Sequence, residues 1–285
     1  MNKHVRVILA VLVSTLLSPS TAFTTYAVEQ GETGPGFEQP LGTVTENYPA
    51  STDGRVYSGG PGVVDPGQEQ PAGQQAWQNA DPAKPMVALT FDDGPSAVNT
   101  PVILSYLEQY GARATFFVLG KKAAANADIL QRMVADGCEI GNHTWNHESI
   151  NKISADALVG VLNSTNDAVQ AACGVRPIIM RPPGGGYNDA SLATVGSLGM
   201  SAYYWSIDTR DWEHRNAAKT VEKVLNNVKD GDIILMHDIH GCTAESAATI
   251  IPELINRGYQ LVTVTELANA RGGAQPGQIY FNFRP

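Results

Sequence analysis

Residues 86–119 read MVALTFDDGPSAVNTPVILSYLEQYGARATFFVL. The first six, 86–91, form an apolar run of strand length. Asp92-Asp93-Gly94-Pro95 ends it with turn-forming residues. The stretch 100–110 then places Ile103, Leu104 and Leu107 on one helical face, and Gly111 stops it. A second apolar run, 114–119, follows within a few residues. Strand, helix, glycine and strand at this spacing predict two parallel strands joined by a helical crossover.

The same rhythm continues in both periodicity and punctuation. Further strands are expected at 139–142, 178–180, 201–207, 232–236 and 260–264. Helices are expected at 127–135, from Ser154 to Gly174, and at 192–198, 217–228 and 247–256, with a short helical turn at 266–270. A glycine ends a helix and precedes a strand at 111, 137, 174, 199, 231 and 258. About seven such units predict an α/β fold, a (β/α) barrel with about seven parallel strands. An open doubly wound sheet is the second choice. No Gly-x-Gly-x-x-Gly follows the first strand, so a dinucleotide site has no support.

Outside this region the composition changes. Lys3 and Arg6 precede an eleven-residue apolar run at 7–17, and small-residue cleavage motifs lie at 20–22 and 25–27. Residues 1–27 read as a signal peptide. The run is too short for the roughly 20 residues that span a bilayer, so no stable membrane span is expected after cleavage. Residues 28–83 read as an acidic Gly/Pro-rich disordered tether; 28–80 alone hold ten Gly, six Pro, seven acids and one base. Residues 84–270 are expected to form a single domain and 271–285 a C-terminal tail. The chain is expected outside the cell, with cell-wall association open. A formal net charge of −9 argues against a nucleic-acid partner. Three cysteines, Cys138, Cys173 and Cys242, allow at most one intramolecular disulfide.

In α/β folds the carboxyl ends of the strands carry the chemistry. Asp92 and Asp93 follow the first strand, and His143 and His147 the third. Arg181 follows the fourth, Asp208, Asp211 and Trp212 the fifth, and His237, Asp238 and His240 the sixth. The i, i+4 spacing of His143 and His147 turns both rings the same way if they sit on one helical turn. Two His and one Asp make an open three-ligand metal site, where a zinc-type ion lowers the pKa of bound water to about 7. Adjacent side chains diverge on an extended segment, so one aspartate can hold metal while the other reaches the water. Arg181 would keep that second aspartate ionised. Contact with Asp211 would raise the pKa of His237 and keep it a general acid. Each set alone also has an ordinary structural reading. Trp205, Trp212 and Leu235 fit either the core or the wall of a methyl pocket. His214 and His240 are read as bystanders.

Thr90-Phe91-Asp92-Asp93-Gly94, the His143–His147 segment, Arg181-Pro182-Pro183-Gly184-Gly185, the Asp208–Trp212 segment and Leu235-Met236-His237-Asp238 resemble, in order, the five motifs of the polysaccharide deacetylases, carbohydrate esterase family four. The resemblance covers roughly residues 84–270. It implies a distorted (β/α) barrel and N-deacetylation of GlcNAc-type polymers. It also implies a divalent metal, zinc first, with cobalt, nickel or manganese as alternatives. It implies Asp92 as base, Asp93, His143 and His147 as metal ligands, and Arg181 as the residue that positions Asp92. Asp211 would tune His237, the general acid. Trp205 and Leu235 would line the acetyl pocket, with Trp212 among the substrate-binding residues. The family usually has Tyr after the two prolines, with its N–H in the oxyanion hole. Gly184 stands there and still offers the N–H.

The expected substrate is a cell-wall or chitin-like glycan, peptidoglycan GlcNAc first. Chitooligosaccharide, poly-GlcNAc, MurNAc and acetylated xylan are alternatives. A non-haem iron enzyme also uses two His and a carboxylate, but Asp92 and His237 suit hydrolysis better. A silent glycan-binding protein would not need the full set of acid, base and ligands. The sequence leaves the oligomeric state open.

Overall fold

The computed structural model describes residues 80–285. The expected signal peptide, 1–27, and the tether up to residue 79 lie outside the described residues. Among the described residues the chain runs β1 (Met86–Asp92), α1 (Thr100–Gln109), β2 (Thr115–Val118), α2 (Gly120–Ala123), α3 (Ala127–Ala135), β3 (Glu139–Asn142), α4 (Ala155–Cys173), β4 (Ile179–Met180), α5 (Asp189–Ser197), β5 (Ser201–Tyr203), β6 (Ile207–Asp208), α6 (Asp211–His214), α7 (Ala217–Leu225), β7 (Ile233–His237), α8 (Gly241–Asn256), β8 (Gln260–Leu261), α9 (Val264–Ala270) and β9 (Ile279–Tyr280).

The strands make one curled parallel sheet, a distorted half-barrel, in the order β6-β7-β1-β2-β3-β4-β5-β9, with β8 pairing beside β1. The expected α/β barrel class holds. Among the described residues nine short strands replace the seven expected. The 201–207 run is broken at 204–206 into β5 and β6. Residues 271–285, set apart as a tail, are built into the sheet: β9 pairs with β5, and Asn282 bridges to Asp232 at the foot of β7. Among the described residues no helix is long and apolar enough to cross a membrane.

β1 is buried along its whole length because it pairs with β2, β7 and β8. Its side chains alternate. Val87, Leu89 and Phe91 pack outward under the helices with Ile103, Leu104 and Ile250, whereas Met86 and Ala88 point inward with Phe117, Ile179 and Tyr203. Asp92 continues the inward row, on the face of Thr90. The glycines that end the helices at 111, 137, 174, 199 and 258 all have positive φ, as a left-handed C-cap requires, whereas Gly231, also at positive φ, sits in a turn beyond the end of α7 at Leu225. Ser154 caps α4 by accepting from the Ala157 N–H. The three cysteines are unpaired, and burial pushes the Cys138 thiol up to about 12.

Candidate functional site

Asp92 ends β1 on the inner face and is almost wholly buried. Arg181, fully buried just after β4, donates from Nη1 to Asp92 Oδ1 at 2.8 Å and to Thr90 Oγ1 at 2.7 Å. It also donates from Nε to the Tyr203 carbonyl and from Nη2 to the Tyr204 carbonyl, and its guanidinium lies 4.2 Å from the Phe117 ring centroid. The guanidinium therefore fixes one Asp92 oxygen. The other, Oδ2, lies 3.7 Å from His143 Nε2.

Asp93 leaves the strand with a φ of 71°. The next side chain of an extended strand would point to the opposite face from Asp92, but the left-handed turn brings the Asp93 carboxylate back, so the two adjacent aspartates do not diverge as expected: both approach His143 Nε2. Asp93 Oδ1 lies 3.5 Å from Nε2 of both His143 and His147. Donor atoms of the three residues all lie within 4.8 Å of one another. Asp93 Oδ1 is buried without a hydrogen-bond partner among the described residues. His143 Nδ1 is 2.8 Å from the Arg181 carbonyl. A carbonyl only accepts, so Nδ1 carries the proton and Nε2 faces the cluster with its lone pair. Burial lowers the His143 pKa against the pull of Asp92 and Asp93, which keeps the ring neutral. An oxygen without a donor and a neutral imidazole suit a divalent cation.

One expectation is corrected here. His143 and His147 do not share a helical turn. Residues 144–146 form a turn in which Thr144 has φ 64°, and His147 has φ 65°. The Asn142 side chain accepts from the Thr144 N–H, and Gly120 and Lys121 bond the carbonyls of Thr144 and Trp145. The left-handed residues bend the chain back, so the rings converge at 5.2 Å by a different route.

His237 ends β7 directly beside Asp92 in the sheet register. Its Nδ1 is 2.8 Å from Asp211 Oδ1, and its backbone N–H donates to Asp211 Oδ2 at 2.7 Å. Burial opposes protonation of His237, but the Asp211 hydrogen bond and the charges of Asp92, Asp211 and Asp93 outweigh it and raise its pKa. Burial alone would raise Asp211. Bonds from His237 and Thr243, with the His237 charge, bring it below its ordinary value instead.

Leu235 is buried two residues before His237, on the same face, and opposite Thr90. Trp205 is half-buried, with its ring 5.7 Å from the Arg181 guanidinium. Trp212 is 46% exposed, so it is not a core residue. Gly184 is exposed with φ 59°. The N–H groups of Gly185 and Gly186 bond back to Pro182 and Pro183, but that of Gly184 makes no such bond among the described residues. His240 bonds Arg215, and His214 bonds the Thr209 carbonyl.

Three contributors carried no role in the sequence reading. Thr90 shares the Arg181 Nη1 donor with Asp92. Asp238, fully buried after β7, accepts from Thr100 Oγ1 and lies against Gly94. Burial pushes its carboxyl up to about 7. Lys122, on α2, donates to the Asp93 carbonyl at 2.8 Å. These bonds join residues far apart in sequence, and only the motif-end position of Asp238 signalled it.

The polysaccharide deacetylase family model matches residues 79–203. The chain is 39% identical over 194 residues to a peptidoglycan-N-acetylmuramic acid deacetylase, PdaC, of Bacillus subtilis, a match that covers 68% of this chain but only 41% of that protein. It is 38% identical to a peptidoglycan-N-acetylglucosamine deacetylase of Bacillus cereus, over 70% of this chain and 94% of that one. A family 4 acetyl xylan esterase of Clostridium thermocellum, solved with cobalt, superposes with a TM-score of 0.66 at 35% identity, over 70% of this chain and all of that one. Near-complete coverage of a relative at this identity, on a shared fold, places this chain in the polysaccharide deacetylase family, carbohydrate esterase family four.

Proposed function

We propose that this chain is a secreted, metal-dependent N-deacetylase that hydrolyses the acetamide of GlcNAc units, first in peptidoglycan. Three potential ligands flanked by an Arg-fixed carboxylate and an Asp-fixed imidazole carry this reading. Secretion rests on residues 1–27.

Asp93, His143 and His147 would hold a zinc-type cation; cobalt, nickel and manganese are the alternatives. Such an ion supplies Lewis acidity and a more acidic water. The remaining steps belong to the protein. Asp92, with one oxygen occupied by Arg181, takes a proton from the attacking water through the other. The Gly184 N–H faces the developing oxyanion. Trp205 and Leu235 wall the acetyl methyl, and Trp212 offers a ring face to the sugar. His237, held protonated by Asp211, gives its proton to the nitrogen as the C–N bond breaks. Acetate leaves and the amine stays on the sugar.

The test is acetate release from GlcNAc oligomers and purified peptidoglycan by metal-stripped protein refilled with zinc, with cobalt, or with nothing. Release that depends on metal is expected, faster on peptidoglycan. Preference for chitooligosaccharide, MurNAc units or acetylated xylan would redirect the substrate. Stoichiometric metal without release from any of them would refute the deacetylase reading.

A further inference from the structure

The missing ring at Gly184 leaves open space: nothing lies within 4 Å of where its Cβ would stand. The next residue is the opposite case. Gly185 has φ 70°, and a Cβ there would stand 2.7 Å from Tyr204 Cε2 and closer still to Tyr204 Oη. The phenol of Tyr204 thus lies against bare backbone, where any side chain would push it away.

β4, β5 and β9 are neighbours in the sheet and parallel. The Gly184–Gly186 loop follows β4, Tyr204 follows β5 and Phe281 follows β9. All three therefore lie at the carboxyl edge, where Asp92 and His237 end their own strands. The Tyr204 ring stacks on Trp205 at 3.9 Å and 11°. It meets Phe281 at 4.7 Å and Tyr187 edge-on at 6.2 Å. Phe281 is 39% exposed, and Tyr187 and Tyr204 are half-buried. The backbone carbonyl of Tyr204 is held by the guanidinium that holds Asp92. The aromatic shelf is thus continuous with the reacting site.

We propose that Tyr204, with Tyr187 and Phe281, forms a subsite for a pyranose ring next to the reacting unit, in place of the ring absent at Gly184. This rests on the deacetylase reading above and names how that site grips its polymer. The C–H face of a pyranose packs on aromatic rings. The C-terminal segment thereby contributes to substrate recognition through Phe281.

The test uses the full-length, zinc-loaded protein and the variants Tyr204→Ala, Tyr204→Phe and Phe281→Ala. For each, kcat/KM is measured on GlcNAc oligomers of increasing length and on a small aryl acetate, and the two are taken as a ratio. The ratio comes from one preparation, so any unfolded fraction cancels. It should fall about three- to tenfold in both Ala variants, mostly through KM and more for longer oligomers, and stay near the parent value in Tyr204→Phe. A ratio within twofold of the parent in both Ala variants overturns the shelf and leaves the deacetylase reading standing. A parent that hydrolyses only the aryl acetate overturns both.

Discussion

Asp211 holds His237 twice: one carboxylate oxygen meets the ring at Nδ1 and the other accepts from the main-chain N–H of the same residue. Ring orientation is therefore set by one buried group, which together with the charges of Asp92 and Asp93 also favours the protonated ring. Because the His237 pKa is raised, the acid form persists to higher pH than an ordinary imidazole allows, and activity should fall as pH rises through the raised value. Asp211→Asn removes the charge and turns an amide N–H₂ toward a donor. The alkaline limb of kcat/KM should move to lower pH, with kcat down about 10²–10⁴-fold. The same pair shapes stability. The His237 contribution is complete below its unfolded pKa and is lost as pH rises through the folded value. The Asp211 contribution is complete above its own unfolded pKa and is lost as pH falls through the folded value. An alkaline limb that does not move in Asp211→Asn would remove Asp211 from this role.

Arg181 serves four acceptors in the interior, and Asp92 depends on it for a fixed position. Arg181→Ala leaves a buried carboxylate unpaired, which should cost about 3–5 kcal/mol of stability. Arg181→Lys keeps the charge but has no planar fork to reach all four acceptors. It should recover part of the urea midpoint while activity stays at least tenfold down. Full activity in Arg181→Lys would show that charge alone, and not orientation, is what Asp92 needs.

Much of this was legible in sequence because it is local. The β1–α1–β2 unit follows from apolar spacing and Gly111. The strand-end residues follow from the rule that parallel strands deliver their carboxyl ends to one edge. What was not legible depends on distant partners. The two-residue strand β9 exists because β5, far earlier in the chain, offers it a ladder. The break at Tyr204–Ser206 reflects Arg181 and Ile233, which take the backbone groups of that stretch. The i, i+4 spacing of His143 and His147 suits a helix equally well. It took the Asn142 side chain and the α2 amides to fix the turn actually formed.

Metal removal should be visible without any substrate. If Asp93, His143 and His147 bind zinc, saturation at 100 times Kd stabilises the folded state by about 2.7 kcal/mol. For a domain of this size that raises Tm by roughly 5–10 °C. His147 is the ligand to test, because its side chain is 46% exposed and contributes little to the core. His147→Ala should leave the metal-free Tm almost unchanged and abolish most of the zinc-induced rise. A rise of parent size in His147→Ala would remove this residue from the ligand set.

Gly94 tests how the ligand loop is held. A Cβ there would stand 2.6 Å from Asp238 Cγ and closer still to both carboxylate oxygens, so either the loop or the carboxylate must move. Asp238 has little freedom. It is fully buried, it accepts from Thr100 Oγ1, and Thr100 in turn accepts from the Ser96 N–H. Asp93 is the neighbour that shifts with the loop, already in a left-handed conformation and tied through its carbonyl to Lys122. Gly94→Ala should therefore cost about 1–3 kcal/mol in overpacking and weaken metal affinity about tenfold or more, as a displaced support typically does. Shortening the obstacle should relieve the clash. Gly94→Ala combined with Asp238→Ala should bind metal more tightly than Gly94→Ala alone, which chelator competition measures directly. Parental metal affinity in the single variant Gly94→Ala would mean that the loop yields without moving Asp93.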